Sequence, residues 1–295
     1  MQYQWIYGTH TYELSDSAPF EVVSIDGIDI ASVSPVTEQG PLQHGDTDVD
    51  MRLDPRIIQM VLQARTTAVY DHETNRATFN RIFTPSTQLG KLRITYNNAS
   101  VYEIVARCLG NTGVRRSLVD DQLLKAGIAF RCPDPLWYNP EMHSLSFGIA
   151  AGNSAFSVPT PVPTPMGSSV LNQTTTINYA GTFAEFPLFL VYGPIVDPKI
   201  VNSATGKKID LTGITIASGS YYTIDLRYGR KFAYKNGDTT DLRTGEVTTD
   251  SQLATFAIEA DPTVADGINP ITITGTSANS VTQVYMQYYD RYSGI

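Results

Sequence analysis

Asp46-Thr-Asp-Val-Asp-Met-Arg-Leu53 and, shortly after it, Ile58-Gln-Met-Val-Leu-Gln-Ala64 set the reading of this chain. In the first, Asp46, Asp48 and Asp50 share one face while Val49, Met51 and Leu53 share the other; in the second, Ile58, Met60, Leu62 and Ala64 line one face. A period of two is that of a strand with one side in a core, so both stretches predict half-buried strands. The same alternation runs through Lys91 to Tyr96 and Val101 to Cys108. The Asn97-Asn98-Ala99-Ser100 link between them carries asparagines that tolerate a left-handed backbone. Asp26-Gly27, between Val22-Val23-Ser24-Ile25 and Ile28-Asp29-Ile30, and Asn236-Gly237 after Lys231 to Tyr234 predict two further hairpins.

Helical spacing is confined to one good segment. Asp71 is placed to cap it, Glu73 sits in its first turn, Phe79, Ile82 and Phe83 share a face, and Pro85 stops it. Ser117 to Lys125 reads as a short helical loop ended by Gly127. After Pro140 the basic residues thin out and Thr and Ser rise. The alternating prolines of Val158 to Pro165 exclude a central strand, because every second residue lacks an N–H, and leave an extended arm, a loop or an edge. From Ala180 onward strands are predicted at Phe186–Tyr192, Lys199–Val201, Lys207–Leu211, Tyr221–Leu226, Arg230–Tyr234, Leu253–Ile258, Ile271–Thr274 and Val281–Tyr289. With turns at Thr205-Gly206 and Ser218-Gly219, that spacing is the signature of an all-β sandwich.

A length of 295 residues suits two domains or one large β domain. The 21 basic and 29 acidic residues give a net charge of −8, which argues against duplex DNA or an anionic membrane as the main partner. No run approaches the ~20 apolar residues of a membrane helix, and the opening lacks the basic start and apolar stretch of a signal peptide. The chain is therefore expected to stay where it is made unless another system carries it.

Cys108 and Cys132 each end a strand-like alternation, so both thiols are expected inward, reduced and unpaired. His10, His44, His72 and His143 fall at no zinc spacing with them. The Asp46, Asp48, Asp50 triplet resembles the opening of a calcium loop, but Met51 stands where the glycine belongs and Ile57 where the closing glutamate belongs, so it reads as a solvated face. Asp120-Asp121 likewise read as solvent-facing. No serine sits in a G-x-S-x-G elbow and neither cysteine has a nucleophile context, so no catalytic residue, metal or cofactor is expected. Thr205-Gly206-Lys207-Lys208 lacks the rest of a phosphate cradle and is a hairpin turn. Clustered tyrosines, Tyr221-Tyr222 and Tyr285, Tyr288, Tyr289 and Tyr292, suit either core rings or a contact platform for sugar or protein.

Several of these stretches resemble the siphovirus distal tail protein family of long, non-contractile-tailed phages. They are Phe130-Arg-Cys-Pro-Asp-Pro-Leu-Trp-Tyr138; Gln39-Gly-Pro-Leu42 through Asp54-Pro-Arg-Ile-Ile58; the helix ending Ile82-Phe-Thr-Pro85; Phe186-Pro-Leu-Phe-Leu-Val-Tyr-Gly-Pro194 with Pro198-Lys-Ile-Val-Asn202; and Gly267-Ile-Asn-Pro-Ile271 with Tyr288 to Ile295. They span most of the chain in the family's order. The proline-alternating segment departs from it, and no large carbohydrate-binding insertion is present.

The resemblance implies a mainly β protein. Its first domain, residues 1–140, would be a tail-tube-like, ring-forming β-sandwich with one flanking α-helix. Its second, residues 141–295, would be a galectin-like β-sandwich carrying a Pro-rich arm or loop at about 152–170. It implies a structural, non-enzymatic protein without cofactor, closing with copies of itself into a hexameric ring at the virion tail tip after assembly in the host cytoplasm. The implied partners are the tail tube protein, the tail hub, the tape measure protein, and fibres or a receptor-binding protein, with DNA only in transit and no membrane insertion. Asp46, Asp48 and Asp50 are then candidates for the bore lining, since a negative wall lets DNA slide past. Tyr221, Tyr222, Tyr288, Tyr289, Pro161 and Pro163 are candidates for interface or ligand contact. The alternative is a carbohydrate- or receptor-binding module of the tail tip. Nothing matches the array with which galectins hold galactosides.

Overall fold

Ile58, Met60, Leu62 and Ala64 are all buried, as their alternation predicts, on a strand running Arg56–Arg65. The computed structural model describes residues 1–14, 20–65, 71–116, 123–148 and 170–295. It divides into two units, residues 1–140 with 292–295 and residues 141–291, so Tyr292 to Ile295 lie with the first unit. Ser117 to Gln122, with Asp120 and Asp121, and the proline-alternating segment, with Pro161 and Pro163, lie outside the described residues.

The strands of the first unit are β1 (Gln2–Tyr7), β2 (His10–Glu13), β3 (Glu21–Asp26), β4 (Val33–Glu38), β5 (Thr47–Leu53), β6 (Arg56–Arg65), β7 (Gly90–Thr95), β8 (Val101–Arg116), β9 (Leu123–Cys132) and β10 (Trp137–Tyr138), with the helix α1 (Asp71–Ile82) between β6 and β7. The sandwich is made from one continuous sheet, ordered β2-β1-β7-β8-β9-β6-β3. The long strand β8 belongs to both halves. Its register with β9 shifts after Cys108 and again after Asn111, and Gly110 and Gly113 take φ of 101° and 112°, a left-handed backbone that a side chain would oppose. Past that bend the two halves face one another, Trp5 of β1 packing 4.7 Å from Phe130 of β9. The helix lays Phe79 and Phe83 into the same core, their rings 4.8 Å apart, with Phe20 meeting Phe79 edge-on at 5.4 Å. Cys108 and Cys132 are buried and free, and burial pushes the Cys132 thiol up to about 12.

Several local expectations are corrected here. Asp26-Gly27 does not make a hairpin: β3 pairs with β6, and residues 27–30 are not a strand. A Cβ on Gly27 would lie 2.3 Å from the Ile57 carbonyl oxygen, so glycine permits a close pass there. In the β7–β8 turn the left-handed residue is Ala99, at φ 65°. The asparagines act through their side chains, Asn98 Oδ1 accepting from the Ser100 N–H and Asn97 Oδ1 from the Met1 amine. Leu123 to Lys125 belong to β9 rather than to a helical loop, and Gly127 sits inside that strand opposite Val61.

The second unit is a sandwich of two antiparallel sheets. Its strands are β11 (His143–Gly148), β12 (Leu171–Asn178), β13 (Leu188–Tyr192), β14 (Ile195–Asn202), β15 (Lys207–Asp210), β16 (Thr215–Ile216), β17 (Tyr221–Asp225), β18 (Phe232–Lys235), β19 (Ile268–Thr276) and β20 (Gln283–Tyr288). One sheet is ordered β11-β20-β13-β17-β18; the other is β12-β19-β14-β15, with β16 on β14. Phe189, Val191, Ile224, Val284 and Met286 of the first sheet meet Ile200, Ile209, Ile271 and Ile273 of the second in one core. Strands β11 and β12 were not anticipated. The threonines and asparagine that hide the pattern of β12 face solvent, as with Asn172, Thr174 and Thr176.

Leu253 to Ile258 is not a strand, although Phe256 and Ile258 are fully buried. The N–H groups of Thr255 and Phe256 both turn back to the Gln252 carbonyl, at 3.1 and 2.7 Å. Two buried side-chain amides then replace a ladder. Asn202 Nδ2 donates to the Ala257 carbonyl at 3.0 Å, and Asn269 accepts from the Glu259 N–H at 3.0 Å while donating to the Glu259 carbonyl at 2.8 Å. The apolar run is real, but its backbone partners are side chains.

Candidate functional site

The hairpin β4–β5 forms a two-stranded sheet of its own. Val33 lies opposite Leu53 and Pro35 opposite Met51, with a register shift after Val36. By alternation Val49, Met51 and Leu53 share one face with Val33 and Pro35, and Asp48, Asp50 and Arg52 take the other. The sequence reading had the faces right and the burial wrong. Val49 is 55% exposed and Met51 64%, because no third strand or helix of this chain covers them. The tip is nonetheless ordered. Gln43 accepts from the Gly40 N–H at 2.9 Å and donates to Thr47 Oγ1 at 2.9 Å, while Leu42 stands fully exposed at φ 66°. Asp46 precedes β5, and Asp46, Asp48 and Asp50 are all exposed. The base is pinned by Ser34 Oγ donating to Asp54 at 2.6 Å and by the Asp54 N–H donating to Ser32 at 2.9 Å.

Two buried charges that the sequence reading passed over hold the frame behind this hairpin. Arg56, immediately after it, has the same strand parity as Ile58 and Met60 and is buried with them. Its guanidinium donates to the carbonyls of Pro135 (2.9 Å), Gly27 (2.9 Å), Asp29 and Ser293 (2.5 Å), and lies 5.9 Å above the Trp137 ring. The signal in the sequence was an arginine at a core-facing position. Glu103 of β8 is 1% exposed and accepts from Lys91 at 3.0 Å, Arg93 at 2.5 Å and the Tyr138 hydroxyl at 2.9 Å. Burial alone would push its carboxyl up, but the hydrogen bonds from Arg93, Lys91 and Tyr138 outweigh it and hold the pKa below the ordinary value.

A depressed carboxylate contributes stability above its unfolded pKa and loses it as pH falls through the folded one. Glu103→Gln is therefore expected to cost about 2 kcal/mol at neutral pH and to flatten the acid limb of stability below about pH 4.5. Urea unfolding curves at a series of pH values check this; parallel acid limbs for the two proteins would refute it.

The tyrosine candidates separate into core and surface. Tyr222 is 4% exposed and donates its hydroxyl to Glu246 at 2.6 Å; Tyr288 is 7% exposed and stacks on His143 at 4.9 Å. Neither offers a ring to a ligand, because their strand parity turns them into the sandwich. Tyr289 is half-buried, and Tyr292 packs edge-on against Tyr102 in the first unit at 5.0 Å. Tyr221 faces outward, stacked on Tyr192 at 4.9 Å, and Tyr285 meets Tyr192 edge-on at 5.8 Å.

Residues 8–114 match the model of the phage tail protein RIFT-related domain, so the first unit carries a phage tail domain. The chain as a whole has the fold of a siphovirus distal tail protein, as its sequence resemblance led us to expect. It superposes on the distal tail protein Dit (gp 19.1) of phage SPP1, described as a hub adsorption apparatus of phages infecting Gram-positive hosts, with a TM-score of 0.62 and 11% identity over 98% of each chain. A chain of the phage P2 baseplate in its calcium-activated conformation is also similar, at a TM-score of 0.42 and 10% identity over 100% of this chain and 99% of that one. No curated protein matches the chain in sequence.

Proposed function

We propose that this chain is a structural protein of the distal end of a long non-contractile phage tail, where copies close into a hexameric ring that joins the tail tube to the hub and fibres and leaves a channel for DNA. The observation that carries this reading is the β4–β5 hairpin, ordered yet bare on its apolar face. A monomer gains nothing by displaying Val49, Met51 and Leu42. A neighbouring copy that covers them gains roughly 1.5–3 kcal/mol for each large side chain buried. The hairpin's opposite face then carries Asp48 and Asp50, the acidic wall that a DNA conduit needs. The phage tail domain at residues 8–114 and the distal tail fold agree with this role.

In this reading the first unit is the tail-tube-like ring former and the second, a galectin-like sandwich, faces the neighbouring tail components. Those partners are the tube protein, the hub, the tape measure protein and the fibres. The protein resides at the virion tail tip and is assembled in the host cytoplasm. Its work is done by interfaces and it carries out no reaction. Electron-microscopic class averages of the purified chain are expected to show sixfold rings with a central opening. Particles that stay monomeric at high concentration, together with absence of the chain from intact virions, would overturn the proposal.

A further inference from the structure

We infer that the outer face of the sheet β11-β20-β13-β17-β18 binds a neutral saccharide chain at the cluster Tyr192, Tyr221 and Tyr285. This site goes beyond the assembly role and does not depend on it.

Strand parity puts these rings outside: Phe189 and Val191 of β13 and Val284 and Met286 of β20 are fully buried, so Leu190, Tyr192 and Tyr285 point the other way. Register brings them together, Tyr192 lying opposite Tyr221 on one side and Gln283 on the other, with Leu190 opposite Tyr285. Tyr192 and Tyr221 stack with their planes 27° apart, and Tyr285 closes on Tyr192 at 90°, its hydroxyl donating to Gln283 Oε1. The result is a half-buried aromatic cluster whose rings hold one another in place.

Charge complementarity selects the occupant. On β11, β13 and β20 the outward positions beside the cluster are Ser144, Ser146, Gln283 and Gln287, with no acidic or basic side chain among them, in a chain of net charge −8. The nearest outward carboxylate, Asp225, is already engaged by Arg227 at 2.8 Å and Arg230 at 3.1 Å. The other sheet differs: its outer face presents Lys199 and Lys208 around Asp210. Amides and hydroxyls both donate and accept, which matches a polyol, while phenol rings pack against the C–H face of a sugar. A charged polymer finds no counter-charge here, and a second copy would bury these amides without partners.

The test uses the full chain, titrated with neutral oligomers of β-linked glucose, galactose and N-acetylglucosamine and, as an anionic comparison, with poly(glycerol phosphate), read by saturation-transfer NMR and calorimetry. Saturable binding of at least one neutral oligomer is expected, with none for the polyanion. Tyr192→Ala and Tyr285→Ala should each weaken binding about tenfold. Gln283→Glu with Gln287→Glu, exposed or half-exposed substitutions that leave the cluster intact, should weaken it as well. Absence of saturable binding across the neutral panel would overturn the inference, as would affinity unchanged in both the tyrosine and the glutamine variants. Loss of self-association in Tyr192→Ala would assign the face to a second copy and equally overturn it. None of these results bears on the hairpin, so the assembly reading stands or falls separately.

Discussion

Val49→Asp combined with Met51→Asp is expected to abolish ring formation while leaving the isolated chain as stable as before. Both side chains are more than half exposed in their own chain, so intramolecular folding loses almost nothing; surface changes of this kind usually stay within about 0.5 kcal/mol. In the proposed ring each subunit loses the burial of two large apolar groups, roughly 3–6 kcal/mol per interface, and places carboxylates where they were. That corresponds to a fall of at least about a hundredfold in the association constant. Analytical ultracentrifugation, paired with a melting curve, measures both halves of the expectation. A double variant that still sediments as a ring would show that the hairpin is not the contact. One that unfolds would show that its apolar face is covered within the chain.

Arg56→Met is expected to destabilise the first unit by about 3–5 kcal/mol. The methionine keeps much of the packing volume, so the loss isolates the guanidinium. Four carbonyls, those of Gly27, Asp29, Pro135 and Ser293, lose a donor at once, and they come from three separate stretches of the unit. Arg56→Lys should recover little, because an ammonium on a flexible stem cannot span the positions that the planar fork reaches together. Burial lowers the Arg56 pKa, with Cys132 and Asp29 acting the other way. Both tryptophans of the chain, Trp5 and Trp137, are buried in this unit, so tryptophan fluorescence follows its unfolding without a contribution from the second sandwich. A change below about 1 kcal/mol in urea unfolding would mean that water replaces the guanidinium and that the staple carries no weight.

Where alternation was regular and its apolar face met a core, sequence and structure agree: Ile58 to Ala64, Ile104 to Cys108, Ile128 to Cys132 and Phe189 with Val191. The helix at Asp71–Ile82 was legible for the same reason, since Phe79, Ile82 and Phe83 fall on one side of a 3.6-residue turn. Local turn chemistry was a weaker guide. Asp26-Gly27 has the strongest hairpin dipeptide of the first unit, yet β3 pairs with a distant strand, because Arg56 satisfies the carbonyls of Gly27 and Asp29 that a hairpin would have used. Leu253 to Ile258 shows the same competition, with Asn202 and Asn269 standing in for a neighbouring strand.

By itself the sequence determined which residues face together: the two sides of β5, the inward cysteines and the single helix, because backbone geometry fixes those periods residue by residue. It also determined the acidic balance and the absence of any recognisable catalytic motif. Only the tertiary structure decided what covers each face. Periodicity states that Val49 and Met51 need an apolar neighbour, but whether that neighbour belongs to the same chain depends on strand pairing across long sequence separations. Likewise Tyr221 and Tyr222 are adjacent in sequence, and only their register against Tyr192 and Val191 made one ring part of a surface cluster and the other part of the core.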